Sequence, residues 1–190
     1  MTTVAENRQR AFRFDQRYCI ACKACVIACK DRHDLPVGAN WRRVTTVERG
    51  AFPHPRAFHL ALACNHCAEP ACAAACPSGA IRKRPEDGVV SIEPADCAAC
   101  GACVAACPWG AIQRDPASDV VSKCDFCRDL LDAGQEPACV SACVMRVLTA
   151  GWLDEMADLP EPTGPGLPNP AGCAPSLRIV LHRDARESVY

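Results

Sequence analysis

The chain has 190 residues, enough for one domain or two small ones, with Lys+Arg 21 against Asp+Glu 22 and a formal charge of −1. That balance excludes a general polyanion-binding signature, and no window approaches the roughly 18 uninterrupted apolar residues that cross a bilayer. At 49% the apolar content is ordinary, but aromatics are only 5% and there are 17 cysteines, about one residue in eleven. The opening MTTVAENRQRAFRF has neither an apolar core nor a twin arginine, which argues against a cleaved export signal.

In chain order, FRFD reads as a short strand leading into a first cysteine group, Cys19, Cys22, Cys25 and Cys29, spaced C-x2-C-x2-C-x3-C. The longest ligand-free segment between groups follows, Asp31 to Ala63, with an insertion at 36–59. In it WRRVTTVE alternates as a strand, and FPHPRAFHL is an extended piece punctuated by Pro53 and Pro55. It reads equally as a plain surface hairpin or as a piece that covers clusters or docks a partner. The second group is Cys64, Cys67, Cys72 and Cys76, spaced x2, x4 and x3. PSGAIRKR, a turn at Pro85–Gly88 and VVSIE then form a β-hairpin into the third group, Cys97, Cys100, Cys103 and Cys107, which repeats the first spacing. PWGAIQR, a turn at Asp115–Asp119 and VVSK form a second hairpin into Cys124, Cys127, Cys139 and Cys143, spaced x2, x11 and x3. VLTA beyond Cys143 pairs with FRFD as two edge strands. From Pro160 to Pro175, six prolines and three glycines exclude helix or central strand, leaving a linker or an extended arm laid across a partner; LRIVLH after it is apolar enough to dock.

Sixteen cysteines thus fall into four groups of four, and only Cys173 is left over, read as an unligated thiol far from any group. Disulfides gain most by closing long loops, whereas C-x2-C-x2-C crowds three thiols onto one tight loop. Structural zinc takes two separated ligand pairs, a pattern that group four alone could satisfy. The spacing of groups one and three is the bacterial ferredoxin run, where three cysteines bind one [4Fe–4S] cube and the fourth ligates the neighbouring cube. Pro77 and Pro108, after Cys76 and Cys107, complete the Cys-Pro signature. Sixteen thiolates at four per cube give four [4Fe–4S] clusters and leave no open iron position, so the chain reads as a conductor of electrons without catalytic residues.

The expected fold class is α+β: two pseudo-symmetric dicluster ferredoxin-like units of short hairpins and short helices, plus an extended C-terminal arm. With so few aromatics, the clusters must form part of the core, coupling ligation to folding. The shared Cys-Pro ending favours pairing groups two and three, and one and four; sequential pairing also fits the spacing. In the nested case the crossed-ligand rule gives four sites. These are Cys19, Cys22, Cys25 with Cys143; Cys124, Cys127, Cys139 with Cys29; Cys64, Cys67, Cys72 with Cys107; and Cys97, Cys100, Cys103 with Cys76. The units would then span 12–35 with 120–155, and 60–119, with the arm at 156–190.

CIACKACVIACKD, CNHCAEPACAAACPSGAI, CAACGACVAACPWGAI and KCDFCRDLLDAGQEPACVSAC resemble, in register from about Phe12 to Gly151, the iron–sulfur subunit of the dimethyl sulfoxide reductase family of molybdopterin oxidoreductases. PNPAGCAPSLRIVLHRDA is similar to that subunit's tail. Val144 departs from the proline common in this branch. The resemblance implies the nested pairing, and electron flow between a molybdopterin catalytic subunit and an integral-membrane, quinol-handling anchor. It also implies membrane association through those partners, on the cytoplasmic side or after export bound to a signal-bearing partner. Rival readings are a soluble polyferredoxin and a formate dehydrogenase-type β-subunit, the latter normally carrying an added membrane helix.

Other residues carry weaker signals. Small residues flank every group (Ala21, Ala24, Ala63, Ala73, Ala74, Ala75, Ala98, Ala99, Gly101, Ala102, Ala105 and Ala106), letting backbone N–H groups approach sulfur, or simply filling permissive positions. Gly79 and Gly110 serve backbone geometry. His66 is read as a surface residue or a neighbour of the cluster rather than a ligand, and Trp109 as space-filling. Lys23, Lys30 and Lys123 either offset cluster charge or are solvated.

Overall fold

A computed structural model describes residues 8–115, 117–169 and 172–186. The export-signal reading on residues 1–7 therefore lies outside the described residues, as do Pro116 of the second turn and Pro170 and Ala171 of the tail. No helix among the described residues is long and apolar enough to cross a membrane.

Strand β1 (Arg10–Asp15) carries Phe12 and Phe14 two residues apart, so both rings face the core; Phe12 stacks on Phe126 at 4.1 Å between centroids. It pairs antiparallel with β8 (Leu148–Trp152), Phe12 opposite Ala150 and Phe14 opposite Leu148. The FRFD–VLTA pairing therefore forms, but β1 is no edge strand. β9 (Leu177–Val180), from the LRIVLH run, adds in parallel on its other side and makes β1 the centre of the order β8-β1-β9. Leu177 and Ile179 are buried there.

The proline-rich stretch of the C-terminal segment lies along its own chain. Pro162 and Cys173 are buried, and Gly166 sits against Leu60 and Val47. Ala174 and Cys173 carbonyls accept from the amides of Ala68 and Glu69, while Ser176 donates its N–H to Asn65 O and its Oγ–H to His66 O. Backbone acceptors left bare by missing strand partners are satisfied in this way.

Group one leads into α1 (Ala24–Arg32). The insertion forms a hairpin of β2 (Arg43–Arg49) and β3 (Arg56–Leu62), Arg43 opposite Leu62 and Arg49 opposite Arg56. It is more than a surface hairpin, because Phe58, Leu60 and Ala61 are buried. Groups two and three open α2 (Ala71–Ala74) and α3 (Ala102–Ala106), each followed by its hairpin: β4 (Ile81–Lys83) with β5 (Val90–Ile92), and β6 (Ile112–Arg114) with β7 (Val121–Lys123). Both turns close alike. Arg84 N–H donates to Val89 O and Gly88 N–H to Arg84 O; Asp115 N–H donates to Val120 O and Asp119 N–H to Asp115 O. Gly88 sits at φ +71°, a left-handed position that glycine takes without strain and that Asp119 takes in the matching turn. Group four supplies α4 (Arg128–Asp132) within its x11 loop and α5 (Ala138–Ser141). α1 packs on α5 and α2 on α3, placing groups one and four in one region and two and three in another.

The core is partly made of cysteine. Cys25, Cys64, Cys124, Cys139 and Cys143 pack with Phe12, Phe14, Trp109 and Phe126, while Cys72 and Cys103 pack with Ile81, Val90, Ile112 and Val121. Trp109 is space-filling, as expected, at 6% exposure.

Candidate iron–sulfur centres

Each C-x-x-C loop uses the same backbone device. The residue just before the second cysteine is left-handed in all four: Ala21 (φ +53°), His66 (+43°), Ala99 (+52°) and Phe126 (+65°). Non-glycine residues in this region cost of order 1 kcal/mol each and persist where the surroundings over-determine them, characteristically at functional sites. The turn lets amides reach sulfur: Phe126 N–H donates to Cys124 Sγ at 3.4 Å and the Ala21 amide serves Cys19, while from the insertion the Arg42 amide serves Cys29. Lys23 and Gly101, also left-handed, then start α1 and α3. Gly79, Gly110 and Arg146 are left-handed at the matching position after Cys76, Cys107 and Cys143, so the glycines do serve geometry.

Two cavities among the described residues each bring four thiols together. Cys19, Cys22, Cys25 and Cys143 line one cavity with Phe14, Val44, Ala61 and Leu148. Cys76, Cys97, Cys100 and Cys103 line another with Ile81, Ile92 and Val121. Burial pushes the Cys29 thiol up to about 12, with Cys139 and Cys127 adding to it, and burial again raises Cys127 to about 11, helped by Cys139. Cys72 is raised to about 11 by burial and then by Cys64, with Cys107 contributing, while Lys123 opposes. Burial raises Cys25 to about 11 and lifts Cys124 and Cys67 well above an ordinary thiol. Cys22 and Cys100 are exposed.

Such a donor set fits iron–sulfur cubes. Thiols buried among thiols are neutral at pH 7 unless a metal takes their protons' place. The cations beside them make the same demand. Arg42 is 2% exposed, its Nη1 donates to Ala61 O at 3.3 Å, and its Nε and Nη2 have no hydrogen-bond partner. Burial opposes its charge, but the sulfurs of Cys139, Cys124, Cys25 and Cys29 more than offset this. Lys123, 3% exposed, donates to Val90 O and Cys124 O and lies 3.5 Å from Cys64 Sγ. A buried cation without a counter-charge is expensive, and anionic cluster sulfur is the counter-charge within reach.

Of the lysines flagged by position, only Lys123 is a buried partner of sulfur. Lys23 is exposed, and Lys30 ties down the loop carbonyls of Pro36 and Ala39. His66 is no surface residue: it is fully buried, accepts from Val90 N–H through Nδ1, and is kept neutral by burial and by Lys123 and Arg42. Cys173 is not far from every group, because the folded tail brings its thiol into hydrogen-bond contact with Cys67. Arg42 and His33 carried no spacing signal. His33 Nε2 lies 3.3 Å from Cys127 Sγ and 3.7 Å from Asp125 Oδ1, its ring against Trp41.

With this geometry in place, comparison with known proteins is decisive. Residues 56–153 match the 4Fe-4S dicluster domain family. The chain is 38% identical over 156 residues to the B subunit of anaerobic dimethyl sulfoxide reductase from Escherichia coli K12, covering 78% of this chain and 76% of that protein. It belongs to that B-subunit family. The corresponding Haemophilus influenzae subunit is 38% identical over 157 residues, with the same coverage. Protein NrfC of Escherichia coli K12 is 37% identical over 143 residues, covering 74% of this chain and 64% of NrfC. As a member of this family the chain carries [4Fe–4S] clusters and functions in electron transfer within an oxidoreductase system.

Proposed function

We propose that the chain is a non-catalytic relay, passing single electrons between a membrane-anchored, quinol-handling subunit and a molybdopterin catalytic subunit. Its association with the membrane then runs through those partners. The clusters, when bound, supply one-electron chemistry. The protein's part is ligation and spacing: Cys19, Cys22, Cys25 and Cys143 hold one cluster; Cys124, Cys127, Cys139 and Cys29 a second; Cys64, Cys67, Cys72 and Cys107 a third; Cys97, Cys100, Cys103 and Cys76 a fourth. The first two belong to a unit spanning 12–35 and 120–155, the last two to a unit at 60–119. The observation that carries this reading is the nested packing of α1 on α5 and α2 on α3, with four thiols converging in each of two cavities. Cys22 and Cys100 are exposed in different units, giving an entry and an exit.

Because every iron is saturated by thiolate, the relay has no position for substrate. Left-handed loops fix the backbone around the sulfurs, so little reorganisation accompanies each electron. Anaerobic co-purification tests the assignment: a molybdopterin subunit should accompany the chain, and reduced quinol analogue should reduce the complex. A stable lone monomer, active as a carrier for several unrelated enzymes, would instead identify a polyferredoxin.

A further inference from the structure

Among the described residues, Arg42 and Lys123 are the only Lys or Arg side chains that are buried; Lys123 Nζ lies 3.5 Å from Cys64 Sγ, and the Arg42 backbone N–H serves Cys29. We propose that they are built-in counter-charges that raise the reduction potentials of three of the four clusters, Arg42 acting on two at once. This rests on the ligand sets proposed above.

Arg42 donates its backbone N–H to Cys29, and its charge interacts with Cys25 of one set and with Cys139, Cys124 and Cys29 of the next, so one guanidinium acts on both. Its Nε and Nη2 are buried without a hydrogen-bond partner, so no oxygen neutralises the charge there, and its guanidinium carbon lies 4.5 Å from the Phe12 ring centroid, which excludes water on that side. Lys123 lies at Cys64 Sγ and near Cys72, both of the third set, while its bond to Cys124 O ties it to the second. The fourth set has no such neighbour: Arg114, which donates to Ala99 O, is a solvent-facing side chain already paired with Asp119.

A fixed cation favours the more negative, reduced form of a nearby cluster. In a poorly hydrated interior this attraction is screened far less than between surface charges. These are positioning residues: they touch cluster ligands and exchange no electron themselves.

The test is an EPR-monitored redox titration of the anaerobically purified complex, with iron and sulfide measured on each variant. Arg42→Met should lower the reduction equilibrium constants of two clusters about tenfold or more, about 59 mV each for a one-electron couple. Lys123→Met should lower a third by a similar factor, and one midpoint should move in neither variant. Arg42→Lys and Lys123→Arg should stay near wild type. Arg42→Gln provides a second neutral side chain; a cluster deficit in both neutral variants that Arg42→Lys restores also supports the proposal. Fully loaded variants with four unmoved midpoints, or four that shift together, would overturn it while leaving the ligand assignment intact. A wild-type protein lacking four clusters would instead overturn that assignment.

Discussion

The region built from groups one and four and that built from groups two and three solve one problem with different means. In the second, two short helices and two matching hairpins repeat each other down to the turn hydrogen bonds, and the apolar residues around the thiols are few: Ile81, Val90, Ile112 and Val121. In the first, the repeat is broken. α1 continues through Cys29 to Arg32 where its counterparts turn at Gly79 and Gly110, an x11 loop carries α4, and a three-stranded sheet roofs the site. Phe12, Phe14 and Phe126 supply conventional core there and reach Cys64 and Trp109 of the second region, whereas around Cys72 and Cys103 no aromatic side chain is among the buried residues. The difference teaches that a cluster can stand in for aromatic side chains, at the cost of making the fold depend on metal.

The largest expected effects follow from that dependence. Chelating iron from the whole protein should unfold the second region outright while leaving protected amides in β1 and β8; hydrogen exchange would show it, and equal loss in both regions would erase the contrast. Phe12→Ala should cost about 3–5 kcal/mol in anaerobic denaturation, against about 0.5–1.5 kcal/mol for Ile112→Val in the other region. Gly88→Ala, forced into a left-handed turn, should cost about 1 kcal/mol, read by the same titration. Cys173→Ser should leave iron content unchanged, since the thiol touches Cys67 without completing a set; loss of four irons would make it a ligand.

The smallest effect concerns acid. Asp15 caps the turn after β1 through Arg17 N–H, and the Arg17 guanidinium holds its carboxylate below the usual range. A lowered folded pKa means stability that is complete above the unfolded value of about 4 and is lost as pH falls through the folded one. Asp15→Asn should therefore flatten the stability profile only below about pH 4, and an unchanged profile there would remove the pair from the account.

Much of this was readable from spacing, because ligand geometry is local: three thiols within seven residues specify a cube, and proline-containing turns between alternating runs specify both hairpins. What spacing could not show was closure over long distance. β9 joins β1 in parallel across most of the chain, a choice made by the buried faces of Leu177 and Ile179. The same closure carries Cys173 to Cys67 and covers His66. Arg42 reads as one more strand-end arginine beside Arg43, and only the folded hairpin turns one inward while the other reaches Trp109 O. Sequence periodicity cannot distinguish two adjacent cations when the anion that selects between them belongs to a cofactor.

The central claim is four cubes on sixteen thiols. Iron, acid-labile sulfide and spin quantitation on one anaerobic, dithionite-reduced preparation should give about sixteen irons, as many sulfides and about four spins per polypeptide. A colourless protein holding zinc, or one with two cubes and eight free thiols, would contradict it.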